Sequence, residues 1–145
     1  MSELAANSPA ERAEALIRLT DRLTALLDQE TACFEARKPH EAVGLQAEKT
    51  RLATIYRTET RLAAQDASRL SGLSDALKAR LRDNTARFEA ALARNGAAVE
   101  ALKVLTEGLV KALADEAVRQ ARAKAGYGPG AAKASIGAIA CNQTA

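Results

Sequence analysis

The stretch that decides the fold is ALARNGAAVEAL, residues 91–102, which places an Asn-Gly pair inside a sequence with the pattern of a helix. Asn-Gly is one of the strongest turn signals in proteins. A reversal at Asn95-Gly96 would make a four-helix bundle. A helix that continues through the pair would leave three helices, the last of them long.

Mostly apolar residues recur at intervals of seven along this segment and form two rows on one helix face. Both rows continue across the Asn-Gly pair without a change of phase. A turn between two separate helices would reset this register, so the rows favour one helix over residues 74–124, capped by Ser71 or Ser74. The glycine costs about 1 kcal/mol relative to alanine, and a small residue there permits close approach of another backbone. The reversal stays open as the alternative. The first core row is Leu81, Phe88, Asn95, Leu102 and Leu109, and the second core row is Leu77, Asn84, Ala91, Ala98, Leu105 and Ala112.

Two shorter helices precede the long one. The first is predicted over residues 9–38, because Ser8, Pro9 and Glu11 fit a capping box and Pro39 ends the helical pattern. The second is predicted over residues 41–67, and the short connection between the two makes them antiparallel. Polar residues interrupt the apolar rows and are predicted to fix the register of the bundle: Glu30, Glu59, Asn84 and Asn95.

The composition agrees with a single all-α domain over residues 1–124, an antiparallel hairpin plus a long third helix in a coiled-coil-like three-helix bundle. Isoleucine occurs only at positions 17, 55, 136 and 139, so β-branched residues are too scarce for a sheet. The glycine-rich and alanine-rich residues 125–145 carry one charge and are predicted to be a flexible tail.

Charge and hydropathy exclude several classes of partner. The net charge is +3, and the basic residues alternate with acidic ones instead of clustering with aromatic residues, which argues against nucleic-acid binding. No apolar run approaches the roughly 20 residues of a membrane span, and residues 1–8 lack the pattern of a signal peptide. With two distant cysteines, Cys33 and Cys141, we expect a cytoplasmic protein with reduced thiols.

Residues for chemistry are scarce. His40 is the one histidine, and it lies beside Pro39. A zinc site needs several Cys or His ligands close together, and the sequence has no such cluster. Glu30 and Glu59 lack the Glu-x-x-His motifs of a di-iron bundle, and no glycine-rich phosphate loop follows a strand. We therefore expect no enzymatic activity, no metal and no cofactor.

Helix lengths predict a protein-binding surface instead. At 1.5 Å per residue the third helix would span roughly 75 Å, against about 40–45 Å for each of the others. Apolar side chains beyond about residue 100 would then lack cover from residues 1–67. An exposed apolar face of that size usually has a partner. The predicted partner-binding residues in this helix are Val99, Leu102, Leu105, Leu109, Val110 and Leu113.

The order of segments resembles the FlgN-type flagellar export chaperones, in a short alphaproteobacterial-like form. The segments are LTDRLTALLDQETACF (19–34), LQAEKTRLATIY (45–56), LARNGAAVEALKVLTEGLVKAL (92–113) and YGPG (127–130). The resemblance implies a cytoplasmic chaperone without ATPase activity. It would hold hook–filament junction proteins (the hook-associated proteins) and deliver them to the type III secretion apparatus, whose components are further candidate partners.

Client binding in that family lies in the C-terminal part of the chain. Carried over, this implies Leu102, Leu105, Leu109 and Leu113, together with the tail around Tyr127. The alternative is a structural or adaptor coiled coil that forms a homodimer through the same leucine face.

Overall fold

The computed structural model describes residues 4–125, and the regular elements within that range are all helical. Helix α1 spans Pro9–Glu35, α2 spans Gln46–Gln65 and α3 spans Asp75–Ala125. Two 3₁₀ helices, Pro39–Leu45 and Ala67–Leu70, connect them. The predicted all-α fold with three helices is confirmed. The predicted tail lies outside the described residues, apart from Ala125, which ends α3.

Helix α3 passes through Asn95 and Gly96 without a break, so the four-helix alternative is wrong. Asn95 is buried and its side-chain amide donates to α1, which ties this turn of helix to the bundle. The expectation that a small residue at position 96 permits close approach of another backbone is wrong as well. Gly96 is exposed, and a Cβ at that position would meet nothing within 4 Å. At the start of α3, the Ser74 hydroxyl accepts the Leu77 N–H at 3.2 Å.

Helix α1 begins where the sequence predicts but ends three residues early. The Ser8 hydroxyl accepts the Glu11 N–H at 3.2 Å. The Glu11 carboxylate accepts from the Asn7 N–H at 2.8 Å, one residue earlier than in a capping box. At the other end, Arg37 adopts a left-handed conformation with φ of 60°, and the Lys38 N–H returns to the Cys33 carbonyl. This is a Schellman-type end.

The second helix starts later than predicted, at Gln46 instead of residue 41, because residues 39–45 form a 3₁₀ helix. Pro39 opens that segment and supplies no backbone N–H. Val43, in this 3₁₀ helix, is 70% exposed. It is a surface residue.

Side-chain pairs give the direction of packing. Arg22 contacts Glu48 and Arg12 contacts Glu59, so α1 and α2 are antiparallel. Between α1 and α3, Glu14 contacts Arg80 and Glu35 contacts Arg94. The residue numbers increase in the same direction along both helices, so these two helices are parallel. Tyr56 and Phe88 bring α2 against α3 with ring centroids 4.9 Å apart. The main core is formed by Leu16, Leu19, Leu23, Leu26, Leu27, Leu52, Phe88 and Ala91.

The chain divides into two compact units after Leu102. The first unit, residues 1–102, contains the three-helix core. The second unit, residues 103–145, is described over residues 103–125, and this part is the C-terminal section of α3.

Candidate protein-binding surface

Large apolar side chains are exposed along the helix of the second unit. Leu105 is 45% exposed, Val110 47%, Leu109 60% and Leu113 63%. Leucines four apart lie on one face of a helix, and Val110 adjoins them. We call these four residues the leucine stripe. Burial of one such side chain contributes about 1.5–3 kcal/mol, so the stripe can supply the free energy of a specific protein contact.

The remaining predicted site residues lie elsewhere. Val99 and Leu102 belong to the first unit, where Val99 is 44% exposed and Leu102 is half-buried. Val104, which is 59% exposed, was not among the predicted site residues. Tyr127 lies outside the described residues.

Charges near the stripe form a separate row. Lys103, Glu107 and Lys111 are spaced by four and alternate in sign, as on a solvated helix face. Beyond Leu113, Arg119 pairs with Glu116 at 2.5 Å, and both side chains are more than half exposed. The stripe itself contains no charged side chain and extends over about two and a half turns of helix, and Asp115 follows just beyond Leu113.

The first unit holds a buried polar network centred on Glu30. The Glu30 carboxylate accepts from Lys49 Nζ at 2.6 Å, from Gln46 Nε2 at 2.5 Å and from Asn95 Nδ2 at 2.9 Å. Burial raises the pKa of Glu30, but the hydrogen bonds from these three side chains outweigh it and hold the pKa below the ordinary value. One carboxylate therefore joins α1, α2 and α3, which is the arrangement expected of a residue that fixes their mutual register.

A second buried carboxylate, Glu59, lies at the other end of the hairpin. Its Oε2 atom is 3.0 Å from Arg69 NH2 and 3.6 Å from Arg12 NH1, and its Oε1 atom accepts the Leu4 N–H at 3.3 Å. Glu59 thus ties α2 to α1, to the second 3₁₀ helix and to the residues before α1.

Ion pairs between α1 and α3 were missed by the sequence analysis. Arg80 pairs with Glu14 at 2.7 Å and Arg94 pairs with Glu35 at 3.0 Å. Between them, Arg87 lies 3.8 Å from Asp21. The signal was present, since the arginines are seven apart and acidic residues recur every seven positions at 14, 21, 28 and 35. Each exposed pair contributes at most about 1 kcal/mol.

The remaining predicted core polar residue, Asn84, donates its side-chain amide to Asp21 on α1. Among residues 4–125, no three His, Cys, Asp or Glu side chains come together as metal ligands. No helix of that same range is long and apolar enough to cross a lipid bilayer.

Comparison with known proteins gives one clear similarity. The flagellar basal-body protein FlbY of Caulobacter vibrioides is 39% identical to this chain over 128 residues, which cover 88% of this chain and 86% of FlbY. No family model matches the chain, so the FlgN-type resemblance is not confirmed by one. No solved structure matches either.

Proposed function

Because the chain belongs to the family of the flagellar basal-body protein FlbY, we propose that it is a cytoplasmic flagellar export chaperone. It binds terminal helical segments of the hook–filament junction proteins and delivers them to the type III secretion apparatus. The proposed role needs no catalytic group, metal or cofactor.

The exposed leucine stripe is the observation that carries this proposal. Leu109 and Leu113 each expose about three fifths of their surface to water, while the leucines of the three-helix core are buried. A helix face of this kind accepts an amphipathic partner helix through residues spaced by three and four. The exposed apolar face among the described residues supports the proposal that the chain holds an unassembled subunit.

The proposed mechanism is physical. A client segment that is disordered alone packs its apolar side on the stripe and becomes helical there. Ordering the segment costs free energy, which offsets part of the gain from burial and keeps the affinity moderate. A complex of that strength releases its client at the export machinery.

The test is titration of the full chain with the terminal segments of the junction proteins from the same organism, by isothermal calorimetry. The double variant Leu105→Asp with Leu109→Asp removes about one leucine of exposed surface, judged from exposures of 45% and 60%. Burial of one leucine contributes about 1.5–3 kcal/mol, so binding should weaken at least tenfold. The buried charge adds to that loss.

The matched control is Val43→Asp, because Val43 is an exposed apolar residue in the first 3₁₀ helix, away from the stripe in sequence. It should bind like the wild type, and both variants should keep the wild-type helix content by circular dichroism. Unchanged binding by the double variant would refute the assignment of the stripe. Absence of binding by the wild-type chain would refute the chaperone.

The description of FlbY as a basal-body protein favours a second candidate, a structural or adaptor coiled coil that pairs with its own copy through the stripe. Light scattering over a range of concentrations separates the two candidates. A dimer that becomes a monomer in the Leu105→Asp, Leu109→Asp variant supports the coiled coil. A monomer that gains helicity with a junction-protein segment supports the chaperone.

A further inference from the structure

Helix α2 presents charge of only one sign to solvent. The exposed residues of α1 include both signs, for example Arg18 and Asp21. Those of α2 are alanine, threonine, glutamine and arginine, with no acidic residue among them: Ala47, Thr50, Arg51, Thr54, Arg57, Arg61, Ala64 and Gln65. We call Arg51, Arg57 and Arg61 the arginine face.

The arginine face lies on the side of α2 that is turned away from the core. Arg57 and Arg61 are one helical turn apart, and Thr50 and Thr54 continue the same side of the helix at intervals of four and three. Arg51 adjoins them. At 1.5 Å per residue the three arginines span about 15 Å along the helix axis. A surface of that length matches about three turns of a partner helix.

The two carboxylates of α2 are engaged elsewhere. Glu48 is held by Arg22 of α1, whose Nε and NH2 atoms lie 2.7 Å and 2.8 Å from its two oxygens. Arg51 lies one turn beyond Glu48 and therefore adds a second cation to a carboxylate that is already paired. Glu59 is buried in the contacts between α2 and α1. Neither carboxylate neutralises the arginine face.

Helix α3 adds one acidic residue near this side of the bundle. Burial, and then the charge of Glu89, raise the pKa of Tyr56 on α2, so Glu89 lies close to this helix. Among residues 4–125, however, neither Glu89 nor another carboxylate forms an ion pair with the arginine face. Arg57 Nε instead donates to the Ala53 carbonyl oxygen of its own helix at 3.3 Å.

We infer that the arginine face binds an acidic helical segment of a second protein, about three turns long, through carboxylates spaced by one turn. Charge complementarity is the basis, because the planar guanidinium group of arginine matches a carboxylate at two points. Within the bundle, Arg22 already binds Glu48 in this way. The inference goes beyond the proposed function, because the arginine face lies on the first unit and the leucine stripe takes no part in it.

Two other anionic partners fit the face less well. Single-stranded nucleic acid stacks its bases on aromatic side chains, and no exposed residue of α2 is aromatic. Duplex binding draws on more phosphate contacts than three arginines supply. A helix that binds a lipid surface inserts its apolar side, whereas the apolar side of α2 packs in the core. An acidic protein segment needs only the arginines.

The test measures binding of an acidic peptide to the full chain by fluorescence anisotropy in low-salt buffer. The probe is a fluorescein-labelled helical peptide of alanine and glutamate, with the glutamates spaced by three and four. The same peptide with glutamine in place of glutamate is the control probe. The variant is Arg51→Gln with Arg57→Gln and Arg61→Gln, in which three exposed side chains lose their charge and the core is unchanged.

A matched control variant loses the same net charge from α3. It is Arg87→Gln with Arg119→Gln and Arg122→Gln, and all three of these side chains are exposed. Both triple variants should keep the wild-type helix content by circular dichroism. Any difference in binding between them then reports the position of the charge and not its amount.

We expect the glutamate peptide to bind the wild type, with a Kd that rises at least tenfold in the α2 variant and less than twofold in the α3 control. Added salt should weaken the complex, because exposed charges are screened. Equal losses in the two variants, binding of the glutamine peptide as tight as that of the glutamate peptide, or no binding to the wild type would each overturn the inference. Tighter binding of a labelled oligothymidylate or of phosphatidylserine vesicles, lost in the α2 variant, would assign the face to nucleic acid or to a membrane and would overturn it too.

Discussion

Replacement of Asn95 by alanine tests how much the buried amide contributes to the stability of the three-helix core. Asn95 Nδ2 lies 2.9 Å from Glu30 Oε1 and 3.1 Å from Thr31 Oγ1, and all three residues are buried. Truncation leaves one oxygen of the Glu30 carboxylate without this donor in a place that water does not reach. We expect the variant to fold to the same three helices with a lower free energy of unfolding.

Two opposing effects set the magnitude. A hydrogen bond to a charged group contributes about 1.5–3 kcal/mol to stability. Alanine is the better helix former, and exchanging Asn95 for it returns up to about 0.7 kcal/mol. Asn95 is only 8% exposed, so water cannot replace the lost donor. The loss of the hydrogen bond therefore outweighs the gain in helix propensity. The net expected loss is therefore about 1–2.5 kcal/mol.

Urea unfolding followed by circular dichroism at constant pH measures this loss as a lower midpoint with an unchanged m value. The control is Asp83→Ala, an exposed position of the same helix at which only propensity and surface charge change, and its midpoint should stay the same or rise slightly. An Asn95→Ala variant as stable as the wild type would show that the amide adds nothing net.

Three further predictions concern pH dependence and backbone conformation. Unfolded glutamate titrates near pH 4.3, and folded Glu30 titrates lower, so its stabilising contribution is present above about pH 4.3 and is lost as pH falls through the folded pKa. Thermal melts at a series of pH values below 5 should show a shallower decline for Glu30→Gln, and an unchanged slope would contradict this assignment. Gly96→Ala should stabilise an exposed helical site by up to about 1 kcal/mol, and Arg37→Gly should relieve part of the roughly 1–2 kcal/mol that a left-handed conformation costs a side-chain-bearing residue. The urea midpoints of Gly96→Ala and Arg37→Gly check these two predictions. A midpoint below that of the wild type for either variant would contradict the prediction made for it.

The seven-residue rows were enough to predict the continuous α3, because periodicity reports which residues share a face. The rows also identified buried polar residues such as Glu30 and Asn95 by their place among leucines. The partners of those residues were not predictable, since Lys49 and Asn95 are distant from Glu30 in sequence and meet it only after the helices pack. The end of α1 was misplaced because proline was taken as the boundary, whereas the left-handed Arg37 before it already turns the chain.

The same polar groups distinguish the core section of α3 from the proposed binding surface. Up to Asn95, the core rows of α3 contain amides that bind acidic residues of α1, and these amides select one neighbour in one register. After Asn95 the rows contain only alanine and leucine as far as position 112, and Leu105 and Leu109 are exposed. Specific polar contacts thus belong to the intramolecular core, and the proposed binding surface consists of apolar area whose core rows lack such contacts. Placing an asparagine at Leu105 should therefore weaken partner binding while leaving the midpoint for unfolding of the three-helix core unchanged.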